Sequence, residues 1–498
     1  MYEASSDPSS PAGTLPREAG AGANGGASCH PRRQRGGRGE SRDARAPDRV
    51  DRQRPHRRHR CVRCSRRPAQ AVRIPGEGRY LIPGLWDMHI HLRSDARQPD
   101  VPLVEENAAL LGLFLPNGVV GVREMGGDLA DHVLRWREEI RSGKRIGPRI
   151  LTAGRKIDRE PPAWDGSLGV TTPEAAREAV RQVKQSGADF VKVYFSIVSP
   201  EVLSAVVDEA HKNNLKVIGH KAYNLSIQAM LDIGQDGIEH AQYLLVAKRD
   251  EYEQYGREMA ARRGTPLAMD SAEQNARLLH LEDAKEEARV YQAMAAKQVW
   301  VTPTLAVITR VHQDLGVRDF ESDDRKRFVF PAVWESWDPK LGRRTPLQGR
   351  NRELSAEVDK RSQQAVVAAH KAGVPMVAGT DCGVDNNYMF PGWSIREELE
   401  SLVKAGLTPA EALRMATIAA TRWRGETDTE GSVDKGKTAD LVLLRSNPLE
   451  AIRHHGKSSR CSRAGSIIPG PIWTPCCATR RISPPRPGAN STDTVRIG

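Results

Sequence analysis

Eight short apolar segments alternate with amphipathic helical patterns between residues 81 and 381. The segments lie at 81–92, 119–124, 149–153, 189–195, 215–220, 237–242, 299–305 and 375–381. Near-continuous apolar strands that alternate with helices form parallel sheets, because each crossover helix packs on a face of the sheet. Eight such units predict an α/β fold, a (β/α)8 TIM barrel, whose chemistry lies at the C-terminal ends of its strands.

The barrel pattern occupies only the middle of the chain, and we predict that it spans 76–425. Residues 1–75 contain 17 Arg, no Lys and 7 acidic residues, while 453–498 contain 8 basic residues and one acidic residue. The net charge of +12 therefore belongs to the two ends, and the middle is mildly acidic. Segments so poor in Leu, Ile, Val and Phe cannot offset their ordering entropy. We predict that both ends are disordered or translated out of frame.

The basic ends leave a second interpretation open. Genuine disordered arms would tether an acidic enzyme to nucleic acid or to an anionic surface. We favour the first interpretation and expect no nucleic-acid partner, because the charge is confined to segments without a core pattern. The two interpretations differ in whether truncation of the ends removes a salt-sensitive binding activity.

Cysteine usage and apolar runs narrow the class of protein further. Only Cys382 of the 7 cysteines lies in the middle of the chain, so no disulfide framework is predicted. No apolar run approaches the roughly 18 residues of a membrane span, and the N-terminus lacks an apolar signal core. We predict no membrane partner and a cytoplasmic protein, unless the true N-terminus is lost. Homo-oligomerisation stays open.

Side chains of the metal-ligand type occupy the ends of several predicted strands. His89 and His91 lie on the first strand, and alternate residues of an extended chain share a face, so both imidazoles can bind one ion. His220, His240 and Asp381 lie on the fifth, sixth and eighth strands. Such side chains converge only if the sheet closes, and we therefore expect a metal site at the mouth of the barrel.

Lys192 lies between two valines of the fourth predicted strand. A lysine in this setting is often a surface residue whose stem lies along apolar surface. Inside a barrel, desolvation would instead lower its pKa and leave a free amine that can take up CO2. The resulting carbamate is an anionic ligand with two oxygens, which can bridge two metal ions.

Five motifs in these strands resemble those of the metal-dependent amidohydrolase superfamily. They are Pro-Gly-x-x-Asp-x-His-x-His at 83–91, Phe-Val-Lys-Val at 190–193, Gly-His at 219–220, Ile-Glu-His at 238–240 and Ala-Gly-Thr-Asp at 378–381. Within the superfamily the chain resembles the imidazolonepropionase-like and Xaa-Pro-dipeptidase-like branch. The stretches 406–412, 416–420 and 436–440 are similar to the C-terminal helices and closing strand of that branch.

The resemblance implies a binuclear site for two divalent metal ions, most often zinc. The implied ligands are His89, His91, Lys192, His220, His240 and Asp381. The first two histidines and Asp381 would hold one ion and the last two histidines the other, with carbamylated Lys192 and a hydroxide between them. Asp381 and Lys192 would be the catalytic residues, because Asp381 would take the proton of the attacking water and pass it to the leaving group.

The substrate is less strongly indicated than the metal site. The branch resemblance favours cleavage of an amide (C–N) bond in a dipeptide or an N-acyl amino acid. Tyr223, Arg123 and Lys156 lie near strand ends where they could meet a substrate carboxylate, although each could equally make a structural contact. Lactone, ester and cyclic-amide hydrolysis stay open, as does metal binding without hydrolysis, because function lies in the loops of such barrels.

The resemblance also implies a small β-sandwich built from segments before and after the barrel. Residues 426–452 match the beginning of its C-terminal segment, but the pattern fails at 454–458. We therefore predict that the flanking sandwich is incomplete.

Overall fold

The computed structural model of the chain describes residues 74–94, 103–195, 197–262, 271–340, 346–384, 386–453, 458–463 and 466–469. All of them belong to one compact unit that begins at Ile74. The predicted N-terminal disordered or out-of-frame segment lies outside the described residues, apart from its last two positions. The part of the C-terminal segment that follows residue 469 also lies outside them.

Thirteen strands are present in the described ranges. They are β1 (Tyr80–Pro83), β2 (Leu85–Ile90), β3 (Val119–Glu124), β4 (Arg149–Thr152), β5 (Ile157–Asp158), β6 (Leu168–Gly169), β7 (Val191–Val193), β8 (Val217–Gly219), β9 (Gly237–Glu239), β10 (Trp300–Thr302), β11 (Leu441–Leu444), β12 (Ser458–Arg463) and β13 (Ser466–Pro469). Strands β2, β3 and β4 form one parallel sheet in that order. A second parallel sheet has the order β10-β9-β8-β7-β5-β6.

Fourteen α-helices lie in the same described ranges. They are α1 (Val104–Leu110), α2 (Ala130–Arg141), α3 (Pro173–Gln185), α4 (Pro200–Lys212), α5 (Ile227–Ile233), α6 (Arg249–Arg262), α7 (Ser271–His280), α8 (Ala284–Ala296), α9 (Leu305–Thr309), α10 (Pro331–Trp337), α11 (Gly349–Lys371), α12 (Ser394–Ala405), α13 (Pro409–Met415) and α14 (Ile418–Arg424). None of the described helices is both long and apolar enough to span a bilayer.

Local sequence explains where several helices begin. Thr172 precedes α3, and its hydroxyl accepts a hydrogen bond from the backbone N–H of Ala175 at 3.2 Å. Ser199 precedes α4 in the same way, and each helix has proline at its first position, where the missing N–H costs nothing. The helical crossovers cover strands that are buried on both faces, as parallel sheets require.

The first predicted strand, 81–92, is two strands in different sheets. The break lies at Pro83 and Gly84, where the Gly84 N–H donates to the Asp440 carbonyl at 2.7 Å instead of pairing along β2. β1 pairs antiparallel with β11, and β12 and β13 extend that sheet. Val442 and Leu444 of β11 are buried in one apolar cluster with Trp86. The antiparallel sheet is thereby packed onto the end of the parallel one.

Strands β12 and β13 fall inside the segment 453–498 that was predicted to be disordered or out of frame. The structure pairs these ten residues as strands, which does not bear on the reading frame, and the prediction for the segment as a whole stays a prediction. An exposed edge such as that of β11 offers unpaired backbone groups, which a neighbouring segment can satisfy largely through its main chain.

The eighth predicted strand, 375–381, is not a regular strand but is bonded on both sides. The Val377 N–H donates to the Val301 carbonyl at 3.0 Å, and the Met88 N–H donates to the Ala378 carbonyl at 2.9 Å. Isolated parallel bridges link this segment to β10 and to β2. The ladder is interrupted because the Asp87 carboxylate accepts both the N–H and the hydroxyl hydrogen bond of Thr380, at 3.0 and 2.7 Å.

Candidate active site

The predicted ligands converge beyond the carboxyl ends of the parallel strands. His89 lies on β2, and His91 follows that strand directly. Both imidazole Nε2 atoms approach one carboxylate oxygen of Asp381, at 3.4 Å from His89 and 3.1 Å from His91. The three side chains form a compact group in which two rings share one face of the strand, as the two-residue period of a strand predicts.

A second imidazole pair adjoins this group. The Nε2 atoms of His220 and His240 lie 2.9 Å apart, and the ring centroids of His89 and His240 are 4.9 Å apart. One ligand atom each from His89, His240 and Asp381 lies within 4.8 Å of the others. Nitrogens and carboxylate oxygens at such separations match the donor set that zinc and related divalent ions prefer.

Two of the converging residues adopt left-handed backbone conformations. His240 has φ of 71° and Asp381 has φ of 57°, a region that most side chains avoid. Backbone bonds hold both residues there, because the His240 N–H donates to Thr302 at 2.8 Å and the Asp381 N–H donates to His89 at 2.7 Å. Strain held by surrounding structure in this way is typical of functional sites.

Burial keeps the imidazoles in the form that binds metal. Removal from water lowers the pKa of His89 and His220 well below the ordinary value and lowers that of His240 to about 3. The rings are therefore neutral near pH 7, and each offers a lone pair. A neutral imidazole is the usual metal ligand of proteins.

Lys192 is fully buried in the middle of β7. Its Nζ has no hydrogen-bond partner within the described part of the chain. Burial lowers the pKa of Lys192 to about 8, although Glu239 and Asp381 favour its charged form. An amine of this kind, close enough to three of the imidazoles and to the Asp381 carboxylate to interact with them electrostatically, fits the chemistry of a carbamate ligand that would complete a two-metal site.

Glu239 supports the ligand group and was missed by the sequence analysis. Its Oε2 lies 2.6 Å from His89 Nδ1, and its Oε1 accepts a hydrogen bond from Arg123 at 2.7 Å. Carboxylates that bind the far nitrogen of a ligating histidine set its tautomer and orientation. The only signal in the sequence was the Ile-Glu-His motif, in which the glutamate precedes His240.

The three residues suggested as substrate contacts lie in different environments. Arg123 is buried, donates to the carbonyl of Met88 at 2.6 Å and to Thr302 at 2.9 Å, and lines neither cavity beside the site. Lys156 is buried behind aromatic rings, with Nζ 5.0 Å from the Trp164 ring centroid. Tyr223 lines the outer of the two cavities. The structure thus brings only Tyr223 to the space that a substrate would enter.

Two adjoining cavities open beside the ligands. The inner chamber, of about 220 Å³, is lined by His91, His220, His240 and Asp381 together with Arg93, Trp164, Tyr194, Gln242, Tyr243, Val307, Ile308, Val311, His312 and Asn386. The outer chamber, of about 490 Å³, continues from it between α6, α7 and α11. Sequence reasoning missed most of these wall residues, because they come from insertions without a recognisable motif.

Comparison with known proteins agrees with this geometry. The sequence profile of the Amidohydrolase family matches residues 80–459. Ochratoxinase of Aspergillus niger is 24% identical over 441 residues, which cover 78% of this chain and 76% of that protein. A Xaa-Pro dipeptidase structure with methionine in its active site matches 79% of this chain and 87% of its own, at 21% identity and a TM-score of 0.56. The structure of bottromycin amidohydrolase matches 79% of this chain and 78% of its own, at 22% identity and a TM-score of 0.59.

These matches support a TIM-barrel-like α/β fold, in agreement with the sequence prediction. The predicted family resemblance and the expectation of an enzyme are confirmed as well. A match over residues 80–459 covers well over half of the chain. The chain therefore belongs to the amidohydrolase family, and it is a hydrolase acting on carbon–nitrogen bonds.

Proposed function

We propose that this protein is a binuclear-metal hydrolase that cleaves the amide bond of a dipeptide or an N-acyl amino acid. The observation that carries the proposal is the position of Lys192. This fully buried amine has no hydrogen-bond partner in the described structure. It interacts electrostatically with the imidazoles of His89, His220 and His240 and with the Asp381 carboxylate. Uptake of CO2 would convert this unfavourable amine into a ligand for two ions, which explains why a strand interior contains a lysine.

The described ligands divide into two groups around Lys192. His89, His91 and Asp381 would hold one ion, because both imidazoles approach the same carboxylate oxygen. His220 and His240, whose Nε2 atoms face each other, would hold the second ion. Carbamylated Lys192 would contact both. Zinc is the expected metal, since imidazole and carboxylate ligands suit it.

The protein's own groups would carry out the remaining steps. When bound, two divalent cations would lower the pKa of a water molecule and polarise the scissile carbonyl. Asp381 would accept the proton of that water and deliver it to the leaving nitrogen. Glu239 would hold the His89 ring in place through Nδ1, and the Thr304 hydroxyl would do the same for His240 at 2.8 Å.

We also infer that the barrel is closed by the segment 375–382. Its bonds to β10 and to β2 support this inference. On the other side, the Asp189 N–H donates to the Thr152 carbonyl at 2.9 Å, which links β4 to the residues just before β7. A closed ring would explain how ligands from strands in two separate sheets come together.

The substrate class rests on the relatives and on the cavities. Ochratoxinase, a Xaa-Pro dipeptidase and bottromycin amidohydrolase are named for action on small molecules or peptides, and the dipeptidase binds methionine in its active site. An inner chamber of about 220 Å³ has room for a small amide but not for a folded polypeptide. We therefore propose a small-molecule or dipeptide substrate for this protein.

Metal analysis combined with a substrate screen tests the proposal. Purified protein loaded in the presence of bicarbonate should retain about two divalent ions per chain, as a two-metal site requires. The screen should contain dipeptides, N-acyl amino acids, lactones and aryl esters. Hydrolysis of a dipeptide or N-acyl amino acid that ceases on chelation and returns with zinc supports the proposal. Retention of one ion or none, or turnover of lactones alone, would contradict it.

A further inference from the structure

The two chambers form one continuous space. They share six wall residues, namely Trp164, Tyr194, Gln242, Tyr243, Val311 and His312. The inner chamber contains the predicted ligands, and the outer chamber of about 490 Å³ extends away from them. A molecule whose reacting bond lies beside Asp381 would therefore place one of its substituents in the outer chamber.

The wall of the outer chamber is unusually aromatic for this chain. The chain has 9 tyrosines, and five of them line this one space. They are Tyr194, Tyr223, Tyr243, Tyr252 and Tyr255, and Trp164 joins them. Because tyrosine is so scarce elsewhere, its concentration here indicates a surface built for contact with a flat, apolar group.

The aromatic side chains support one another without a ligand. Centroids of Tyr223 and Tyr243 lie 6.0 Å apart, and those of Tyr252 and Tyr255 lie 5.9 Å apart. Offset and edge contacts at these distances are favourable. The chamber is therefore formed in advance, and a ligand would not have to order its walls.

The charged residues of the chamber wall indicate which charge a bound group can carry. No aspartate or glutamate is among the described residues that line the outer chamber. Lys221 does line it, with Nζ 3.8 Å from the ring centroid of Tyr252 and 3.4 Å from the carbonyl oxygen of Leu225. A cationic guest could contact the rings but would lack a counter-ion there. The wall therefore favours an uncharged aromatic group over a cationic one.

We propose that the outer chamber binds an uncharged aromatic substituent of the substrate amide and so selects aromatic N-acyl amino acids or peptides. This inference rests on the proposed function and adds the substrate class. A space of this size accommodates one or two fused rings. The guest would lie between the tyrosines of α6 on one side and Leu278 of α7 on another.

A series of amides tests this proposal on the metal-loaded, full-length protein. N-acetyl-L-tryptophan carries the ring on the leaving side, N-(2-naphthoyl)-L-alanine carries it on the acyl side, and N-acetyl-L-alanine carries none. We expect kcat/KM for at least one aromatic compound to exceed that for N-acetyl-L-alanine about tenfold or more, because ring burial contributes to transition-state binding. Equal values for all three, or faster hydrolysis of an N-acetyl-4-guanidinophenylalanine, would overturn it.

The second test uses a substitution that fills the outer chamber, and it measures ligand binding rather than turnover. Leu278→Trp places an indole in the outer chamber, and His280→Trp adds the same group at an exposed position of the same helix. Calorimetry should show that wild type and His280→Trp bind 2-naphthol, and that Leu278→Trp binds it about tenfold more weakly or worse. If Leu278→Trp does not fold, the amide series on wild type still decides.

The two tests separate this inference from the proposed function. Binding of 2-naphthol that Leu278→Trp removes, without hydrolysis of any amide, would support the chamber and contradict the proposed hydrolytic function. Hydrolysis of small amides without aromatic preference, and without 2-naphthol binding, would support the hydrolase and contradict the chamber.

Discussion

Glu239 Oε2 lies 2.6 Å from His89 Nδ1, and this contact joins β9 to β2, which belong to different sheets. Through it, the position of one predicted ligand depends on a strand distant in sequence. The same carboxylate is held by Arg123, so that ligand orientation is coupled to a buried ion pair.

Loss of the Glu239 carboxylate should weaken metal binding while the protein stays folded. We expect Glu239→Gln to lower metal affinity about 10–100-fold, because an amide holds the His89 ring less firmly and no longer favours its correct tautomer. Competition with a chromogenic chelator measures this. The exposed Glu251→Gln variant is the control, and equal affinities of both variants would refute the assigned role.

Asp381→Asn should leave a folded protein with at most a few per cent of wild-type turnover. Asparagine tolerates the left-handed backbone of residue 381, so the fold is preserved, but it cannot accept and release a proton. Circular dichroism tests whether the variant is folded, and kcat tests whether its turnover is lost. Asp208→Asn, on the surface of α4, should behave as wild type. Retention of more than a few per cent of kcat by Asp381→Asn would exclude the proton-transfer role.

Lys192→Met should remove metal without loss of stability. The substitution replaces a buried amine that has no described partner by an apolar chain of similar length, which is neutral or stabilising in a core. We expect metal content to fall from about two ions to one or fewer, and bicarbonate to stimulate metal loading of wild type only. The exposed Lys360→Met variant should load like wild type. Full loading of Lys192→Met would contradict the bridging role.

Arg123→Ala should destabilise the fold rather than change substrate preference. Removal of the guanidinium leaves Glu239 buried without its ion-pair partner, which costs about 3–5 kcal/mol. Denaturant unfolding measures the loss. A substrate contact would behave differently, because the ratio of kcat/KM between charged and uncharged substrates would then change while stability stayed the same.

The contribution of Glu398 to the stability of the protein should fall as the pH rises from about 4.5 to about 8. This buried carboxyl on α12 accepts a hydrogen bond from the Ala306 N–H at 2.8 Å, at the start of α9. Burial raises its pKa to about 8, so the folded state keeps a proton that the unfolded state releases above its ordinary pKa. The corresponding stabilisation is complete at low pH and disappears towards pH 8.

Glu398→Gln should remove this part of the pH dependence. The amide oxygen can still accept the Ala306 bond and carries no charge at any pH. Unfolding of chelator-treated protein in urea should show the variant to be more stable than wild type above pH 5, by on the order of 2 kcal/mol near pH 8. The exposed Glu357→Gln variant should follow wild type. Parallel pH profiles for wild type and Glu398→Gln would disprove the assignment.

The sequence predicted the regular parts of this structure well. Strand β3 has the predicted bounds, 119–124, because a short apolar run directly after the turn residues Asn117 and Gly118 defines it locally, and all six of its residues are buried. The strand at 375–381 was predicted as regular and is interrupted, because the Asp87 carboxylate competes for the hydrogen bonds of Thr380. Almost the whole barrel sequence lies between these two residues. Local patterns contain no information about such contacts.

The convergence of the predicted metal ligands could be anticipated because the carboxyl ends of parallel strands meet at one edge. The roles of Glu239 and Arg123 could not be identified, because their pairing joins strands that are not neighbours. Likewise, Tyr252 and Tyr255 of the aromatic wall come from helix α6, whose sequence has the pattern of a charged amphipathic insertion, and the other four aromatic residues come from separate segments. A pattern in the sequence does not determine how the side chains of distant segments pack together.

The origin of the chamber walls also matters for protein engineering. The predicted ligands come from barrel strands, whereas Tyr252, Tyr255 and Leu278 belong to α6 and α7, between β9 and β10. Under the proposed function, part of the substrate-binding wall is therefore encoded in a separate stretch of the gene from the predicted ligands. Saturation libraries confined to codons of those two helices would sample new selectivities while the hydrolytic machinery stays constant.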